Sequence, residues 1–227
     1  MKPKLLLSWS TGKDSAWALH VLQQQGEYEI VGLVSTVSTA FQRVSMHGVR
    51  VELAQRQAQA AGLPLWQVPI PYPCPNEAYE SAMRDLIARA REVGVTHFAF
   101  GDLYLRDIRA YREKQLAGTG IRPVFPLWTD DTHTLARAML TGGLRALLTC
   151  VDPRQVPASL VGREYDERLL RELPTCADPC GENGEFHTFC HTAPCFRAPI
   201  PIRTGEVLER DGFVYVDVLL SSDNNMV

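Results

Sequence analysis

The stretch Leu5-Leu6-Leu7-Ser8-Trp9-Ser10-Thr11-Gly12-Lys13-Asp14-Ser15 decides how this sequence is read. The apolar run predicts a buried strand and a glycine-containing turn follows. Asp14 and Ser15 are residue types that satisfy the free amides where a helix starts. Strand, turn and helix in that order aim backbone N–H groups and the positive end of a helix dipole at one point, where a phosphate can sit. Gly12 lets the backbone approach closely, Ser10 and Ser15 offer hydroxyl donors, and Lys13 carries a positive charge. The candidate nucleotide contacts are therefore Ser8, Ser10, Thr11, Gly12, Lys13, Asp14 and Ser15. The spacing is neither that of the nucleoside-triphosphate P-loop nor that of the three-glycine dinucleotide fingerprint. On the local pattern alone, a plain Ser/Asp-capped turn is the alternative.

Outward from this loop, short apolar runs alternate with longer helical patterns, as in a parallel sheet covered by helices. The runs are 4–8, 29–35, 65–70, 96–100 and 146–151. Helices are expected from Asp14 or Ser15 to Gly26, over 49–61, over 76–93 with Asn76 as its cap, after Asp107, and over 132–140. After Val151, Pro, Gly and Cys punctuate the chain, and 212–219 alternates as a strand does. The expected architecture is α/β, with a Rossmann-like nucleotide-binding domain over 1–152 and a smaller α+β substrate-binding unit over 153–227.

With 227 residues, 45% of them hydrophobic, the chain can bury one full core. The net charge of −3 and the scattered Lys and Arg argue against a nucleic-acid partner. No run approaches the ~20 apolar residues of a membrane span, so a cytoplasmic protein is expected. Of six cysteines, Cys176, Cys180, Cys190 and Cys195 crowd together. Such a cluster suits thiols or metal ligands better than disulfides in a cytosolic chain. The spacing lacks the paired Cys-x2-Cys of zinc sites, so small buried residues are the expected role. Exposed strands of the C-terminal unit could pair between subunits.

Three further motifs accompany the loop: Ser45-Met46-His47; Gly101-Asp102 with Arg109, Glu113 and Pro126-Leu127-Trp128; and Cys180-Gly181-Glu182-Asn183-Gly184-Glu185-Phe186-His187-Thr188. The loop resembles that of the N-type ATP pyrophosphatases, of the adenine nucleotide alpha-hydrolase-like (HUP-type) superfamily. Together the four motifs resemble the diphthine–ammonia ligase family over nearly the whole chain. Many family loops have a second glycine where this chain has Thr11.

Gly101 and Asp102 end a strand on the same edge as the loop, where open parallel sheets bind ligands. Asp14 and Asp102 are thus candidate Mg²⁺ carboxylates; Asp102 as a turn cap is the alternative. Arg109 and Glu113 share a helix face and could be an exposed ion pair. The resemblance instead implies a substrate site for both, with Arg109 gripping a carboxylate or phosphate. It likewise implies substrate-site roles for His47, Gly181 and Glu182, and catalytic roles for Lys13, Asp14, Glu182, Glu185 and His187. In that reading Glu182, Glu185 or His187 deprotonates ammonium; an acidic surface turn is the plain alternative.

The reaction implied is ATP-dependent activation of a carboxylate as an adenylate, with pyrophosphate released and ammonia or an amine completing an amide. The family's named substrate is diphthine, a modified histidine on a translation elongation factor. A small carboxylate metabolite (a corrinoid-related one, for example), a tRNA base, or nucleotide sensing without turnover remain open from the residues.

Overall fold

The computed structural model describes residues 1–45 and 48–221. In chain order the first half runs β1 (Lys4–Ser8), α1 (Lys13–Gln25), β2 (Glu29–Ser38), β3 (Arg43–Val44), α2 (Val51–Ala61), β4 (Leu65–Ile70), α3 (Asn76–Glu92), β5 (Val95–Ala99), α4 (Arg106–Leu116) and β6 (Arg122–Val124). The second half runs α5 (Thr132–Thr141), β7 (Arg145–Val151), α6 (Glu167–Glu172), β8 (Phe186–Thr192), β9 (Ile202–Arg210) and β10 (Phe213–Leu220).

Parallel pairing builds the first sheet in the order β4-β2-β1-β5-β6, and β3 lies antiparallel along the far end of β2. The chain leaves β1 toward β2 on one side and later returns to β5 on the other. Strand order therefore reverses beside β1, and a crevice opens there at the carboxyl ends of the strands. Side-chain alternation along β1 explains why both sheet faces are covered. Leu5 and Leu7 join α1 residues Ala16, Leu19 and Leu22 in one core cluster, whereas Leu6 joins Trp66, Leu86, Ile87 and Phe98 in another. α1 starts where Gly12 stands as cap and stops where Gly26 takes the left-handed conformation, its N–H bonded to the Leu22 carbonyl. Leu19 is fully buried, and cutting it to Ala would cost about 2–5 kcal/mol.

The second sheet is antiparallel in the order β8-β7-β10-β9. Here the structure corrects the sequence reading: the run 146–151 was expected in the parallel sheet, yet β7 is central in the antiparallel one. A strand buried on both faces reads as a continuous apolar run in either setting, because periodicity does not report direction. Ala146 and Leu148 pack into the α1 cluster, while Leu147 faces Val49, Leu53 and Phe189. The other expected boundaries shift by only a residue or two in most elements, as where α2 begins at Val51 and β5 runs Val95–Ala99. β2 runs on to Ser38, and α3 is capped by Pro75, Asn76 being its first helical residue.

Candidate active site

The loop between β1 and α1 lies against β8 of the second sheet. Cys190 N–H donates to the Thr11 carbonyl at 2.9 Å, and Lys13 N–H donates to Thr188 Oγ1 at 3.0 Å. The Gln57 amide from α2 locks this arrangement. Its Nε2 donates to the Thr11 carbonyl at 2.9 Å and the Cys190 carbonyl at 2.6 Å, and its Oε1 accepts from the Trp9 indole at 2.8 Å. Gln57 is fully buried, so each of these bonds replaces water that cannot reach it. Within the loop, Ser15 Oγ donates to the Gly12 carbonyl at 2.9 Å and sits 3.3 Å from Ser10 Oγ. Ser8 ends β1 half-buried. Gly101 supports the loop from β5: a Cβ there would lie 3.3 Å from the backbone of Asp14 and Ser15.

Thr11 occupies the left-handed region at φ 73°, rare for a β-branched residue and the reason a glycine suits this position. Among the described residues, its buried Oγ1 and the buried Oδ1 of Asp14 have no hydrogen-bond partner. An orphaned carboxylate oxygen beside the loop amides fits Mg²⁺, which takes one or two carboxylates plus phosphate oxygens. Asp102 stands at the same edge after β5, its Oδ2 accepting from Arg112 Nε at 3.3 Å. Among the described residues no three His, Cys, Asp or Glu are grouped to hold a metal by themselves.

Lys13 is placed differently from a phosphate-facing lysine. Its ammonium points inward to Asp14 Oδ2 at 2.9 Å and to the Cys180 carbonyl, with the Tyr165 and Phe186 rings each 5.4 Å away. Burial, the largest single influence, lowers its pKa, but the Asp14 carboxylate together with Cys180 and Glu182 more than offsets it and the net direction is up. Lys13 therefore remains a cation, pinning the loop to the segment before β8.

That segment, 178–188, folds over the crevice through two carboxylates. Glu185 is buried, accepting from Asp178 N–H at 2.7 Å, Asn183 N–H at 2.9 Å and the Asn183 side-chain amide at 3.1 Å. Asp178 accepts from Cys180 N–H at 2.8 Å and from the Thr132 hydroxyl at 2.7 Å. Gly181 turns the chain at φ 70°, where a Cβ would strike the Phe186 carbonyl at 2.9 Å. Glu182 is thereby carried to the end of β5, its Oε1 accepting from Leu103 N–H at 2.8 Å. Burial, aided by the nearby Asp14 and Asp102 charges, pushes its carboxyl up to about 7. His187, half-buried on β8, is pushed down to about 4 by burial and then by the Lys13 charge, so near neutral pH its imidazole is neutral.

The structure thus brings Ser10, Thr11, Gly12, Asp14, Ser15, Gly101, Asp102, Gly181 and Glu182 to one edge. Lys13 and Glu185 belong to that edge's supports. Arg109 and Glu113 form a half-exposed pair at 2.8 Å on α4, the guanidinium lying 4.8 and 4.7 Å from the Phe125 and Trp128 rings. Met46 and His47 lie outside the described residues. Sequence reasoning does not single out Gln57 or Asp178, and it includes Thr188 only as the last residue of a motif, with no role. An isolated Gln in a helix carries no signal of what packs on it, and Asp178 lies just outside the motif that begins at Cys180.

A glycine loop from strand to helix at a sheet's switch point, overlaid by an acidic segment, defines the PP-loop, ATP pyrophosphatase class. The chain belongs to the family described as diphthamide synthase N-terminal domain, whose model matches residues 3–123, more than half of its length. No curated protein matches the sequence. Among solved structures, it is similar to the U34-tRNA thiolase NcsA from Methanococcus maripaludis with its 4Fe-4S cluster, at 16% identity and a TM-score of 0.38. That similarity covers 60% of this chain and 56% of the thiolase chain, so this chain spans little more than half of that protein.

Proposed function

We propose that the protein is an ATP-dependent, AMP-forming ligase that adenylates a carboxylate and passes the acyl group to ammonia or an amine. One observation carries this reading. The orphaned Asp14 Oδ1 and the loop amides converge on the edge where Glu182 sits with a carboxyl at about 7. The carboxylate oxygen attacks the α-phosphorus of ATP, and the bond to the bridging oxygen breaks. The loop amides with Ser10 and Ser15 hold the departing pyrophosphate. Asp14, with Asp102, would hold Mg²⁺, which neutralises phosphate charge when bound. The amine then attacks the acyl carbon, AMP leaves, and Glu182 takes the amine's proton; a base near the working pH is best matched to that task. His187 is too weakly basic for this role, and Glu185 is fully engaged in holding the 178–188 segment.

A thiol-based reaction is disfavoured by the electrostatics. Burial pushes the Cys150 thiol up to about 11 and the Cys180 and Cys195 thiols up to about 12, opposite to what a nucleophilic thiolate needs. Each of Cys180, Cys190 and Cys195 donates instead to a backbone carbonyl.

The test is to incubate the protein with ATP, Mg²⁺, ammonium and fractions of a metabolite extract, beside an Asp14→Asn variant. AMP and pyrophosphate with one fraction, absent in the variant, are expected. ADP and phosphate would overturn the reading.

A further inference from the structure

Arg56, Gln59 and Ala60 on the second half of α2 line a cavity of about 460 Å³ that the catalytic edge does not use. The 197–201 connection from β8 to β9 forms its second wall, and the end of β10 with Ser221 forms the third. Backbone bonds tie these walls to one another and to β8. Arg197 N–H donates to the Ala60 carbonyl at 2.8 Å, Ile200 N–H to the His191 carbonyl at 2.8 Å, and Ser221 N–H to the Pro201 carbonyl at 3.0 Å. The floor is apolar: Ile200 is buried in one core cluster with Val216 and Val218, and Ala60 and Leu220 pack against that cluster. A volume of this size suits a small ligand.

The polar side chains around that floor can all donate. Arg56 and Arg197 are guanidiniums, and Ser221 adds a hydroxyl. Gln59 has its Oε1 engaged by Arg56 Nη1 at 3.1 Å, which leaves its Nε2 to donate to a ligand. No carboxylate lines the cavity, and among the described residues neither arginine belongs to an ion pair. Like charges around one cavity repel, and an anion between them removes that cost. Arg197 lies across Gly62, the cap of α2, where a Cβ would meet its Nη2 at 2.5 Å. The helix end carries only about half a negative charge, so two full positive charges leave the cavity attractive to anions. We propose that this cavity binds a phosphate monoester with an apolar body. The guanidiniums take the dianion by forked contacts, and Ile200 and Leu220 take the body. A dianion matches both arginines, whereas a single carboxylate leaves one charge unmatched. Neither arginine belongs to the catalytic edge, so the assignment stands apart from the adenylation reading.

The test is a binding measurement on the full chain with Mg²⁺ and α,β-methylene-ATP present in excess, so that the phosphate loop is already filled. Saturation-transfer NMR would follow phenyl phosphate and phenol, with inorganic phosphate as competitor. Phenyl phosphate should receive saturation and phenol should not. Inorganic phosphate should displace the probe only at about tenfold higher concentration, the scale of burying part of one ring. Arg56→Gln and Arg197→Gln should each weaken the probe by about tenfold, and the double variant should abolish its signal while still binding the ATP analogue. Signal that survives the double variant, equal signal from phenol, or signal seen only while the loop is empty would overturn the assignment. Both arginines lie off the loop, so the variants decide the question even if the analogue does not bind; that failure would count against the adenylation reading alone.

Discussion

The two sheets meet at one site and contribute unlike things to it. The parallel sheet supplies backbone: a loop of amides, the close approach of Gly101, and a switch-point crevice that follows from strand order. The antiparallel sheet and the segment leading into it supply buried polar side chains and their partners, namely Thr188, Asp178, Glu182, Glu185 and His187. Backbone geometry follows from local sequence and is inexpensive to hold. Buried charge is not: Glu185 and Asp178 are held by amides and a hydroxyl of their own half, whereas Glu182 is met by the Leu103 N–H and Lys13 by the Cys180 carbonyl across the two halves. The phosphate cradle is thus local, whereas the protonation state of the site depends on how the halves dock.

The largest expected effect breaks the antiparallel contribution. Glu182→Gln should lower turnover by about 10²- to 10⁴-fold, the range of a general base, and remove the pH–rate limb near 7. The same variant has a signature in stability. The Glu182 pKa is raised from 4.5 to about 7 on folding, so its contribution is present below 4.5 and lost as pH rises through about 7. Replacing it should flatten the fall in Tm across that window. His187 has the opposite sign: its pKa falls from 6.5 to about 4, so its contribution is present above 6.5 and lost as pH drops through about 4.

Next in size, Lys13→Met should cost about 3 kcal/mol, because it leaves Asp14 without its buried partner and unties the loop from the Cys180 carbonyl. Urea unfolding would read this loss. ATP affinity of the protein still folded should change far less, and a change confined to ATP affinity would show Lys13 to be a phosphate ligand after all. Gln57→Leu should cost about 2 kcal/mol, since the Trp9 indole and Cys190 carbonyl lose their partner in a dry interior. Smallest is Thr11→Gly. Relief of the left-handed strain offsets lost burial and added chain entropy, so stability should stay within about 1 kcal/mol of the parent.

The same contrast explains what was legible in the sequence. β1 and β4 were read at their observed bounds because each is a compact apolar run ended by turn residues. The loop was legible because its chemistry is consecutive: Ser10 to Ser15 acts within one turn. β7 was assigned to the wrong sheet because an apolar run does not encode its neighbours. Neither reading of Glu185, catalytic base or acidic surface turn, anticipates its burial, in which the Asp178 and Asn183 amides close around the carboxylate. Gln57 gave no signal because its three partners, Trp9, Thr11 and Cys190, are brought together only by tertiary structure.

The central claim is that this site transfers the adenylyl group of ATP to a carboxylate. The most direct measurement uses the activating metabolite fraction with its carboxylate oxygens exchanged to ¹⁸O, in the presence of ATP, Mg²⁺ and ammonium, with mass analysis of the products. The account predicts one ¹⁸O in AMP and none in pyrophosphate, because the oxygen that attacks the α-phosphorus leaves with it. AMP free of label, or label in inorganic phosphate beside ADP, would contradict it.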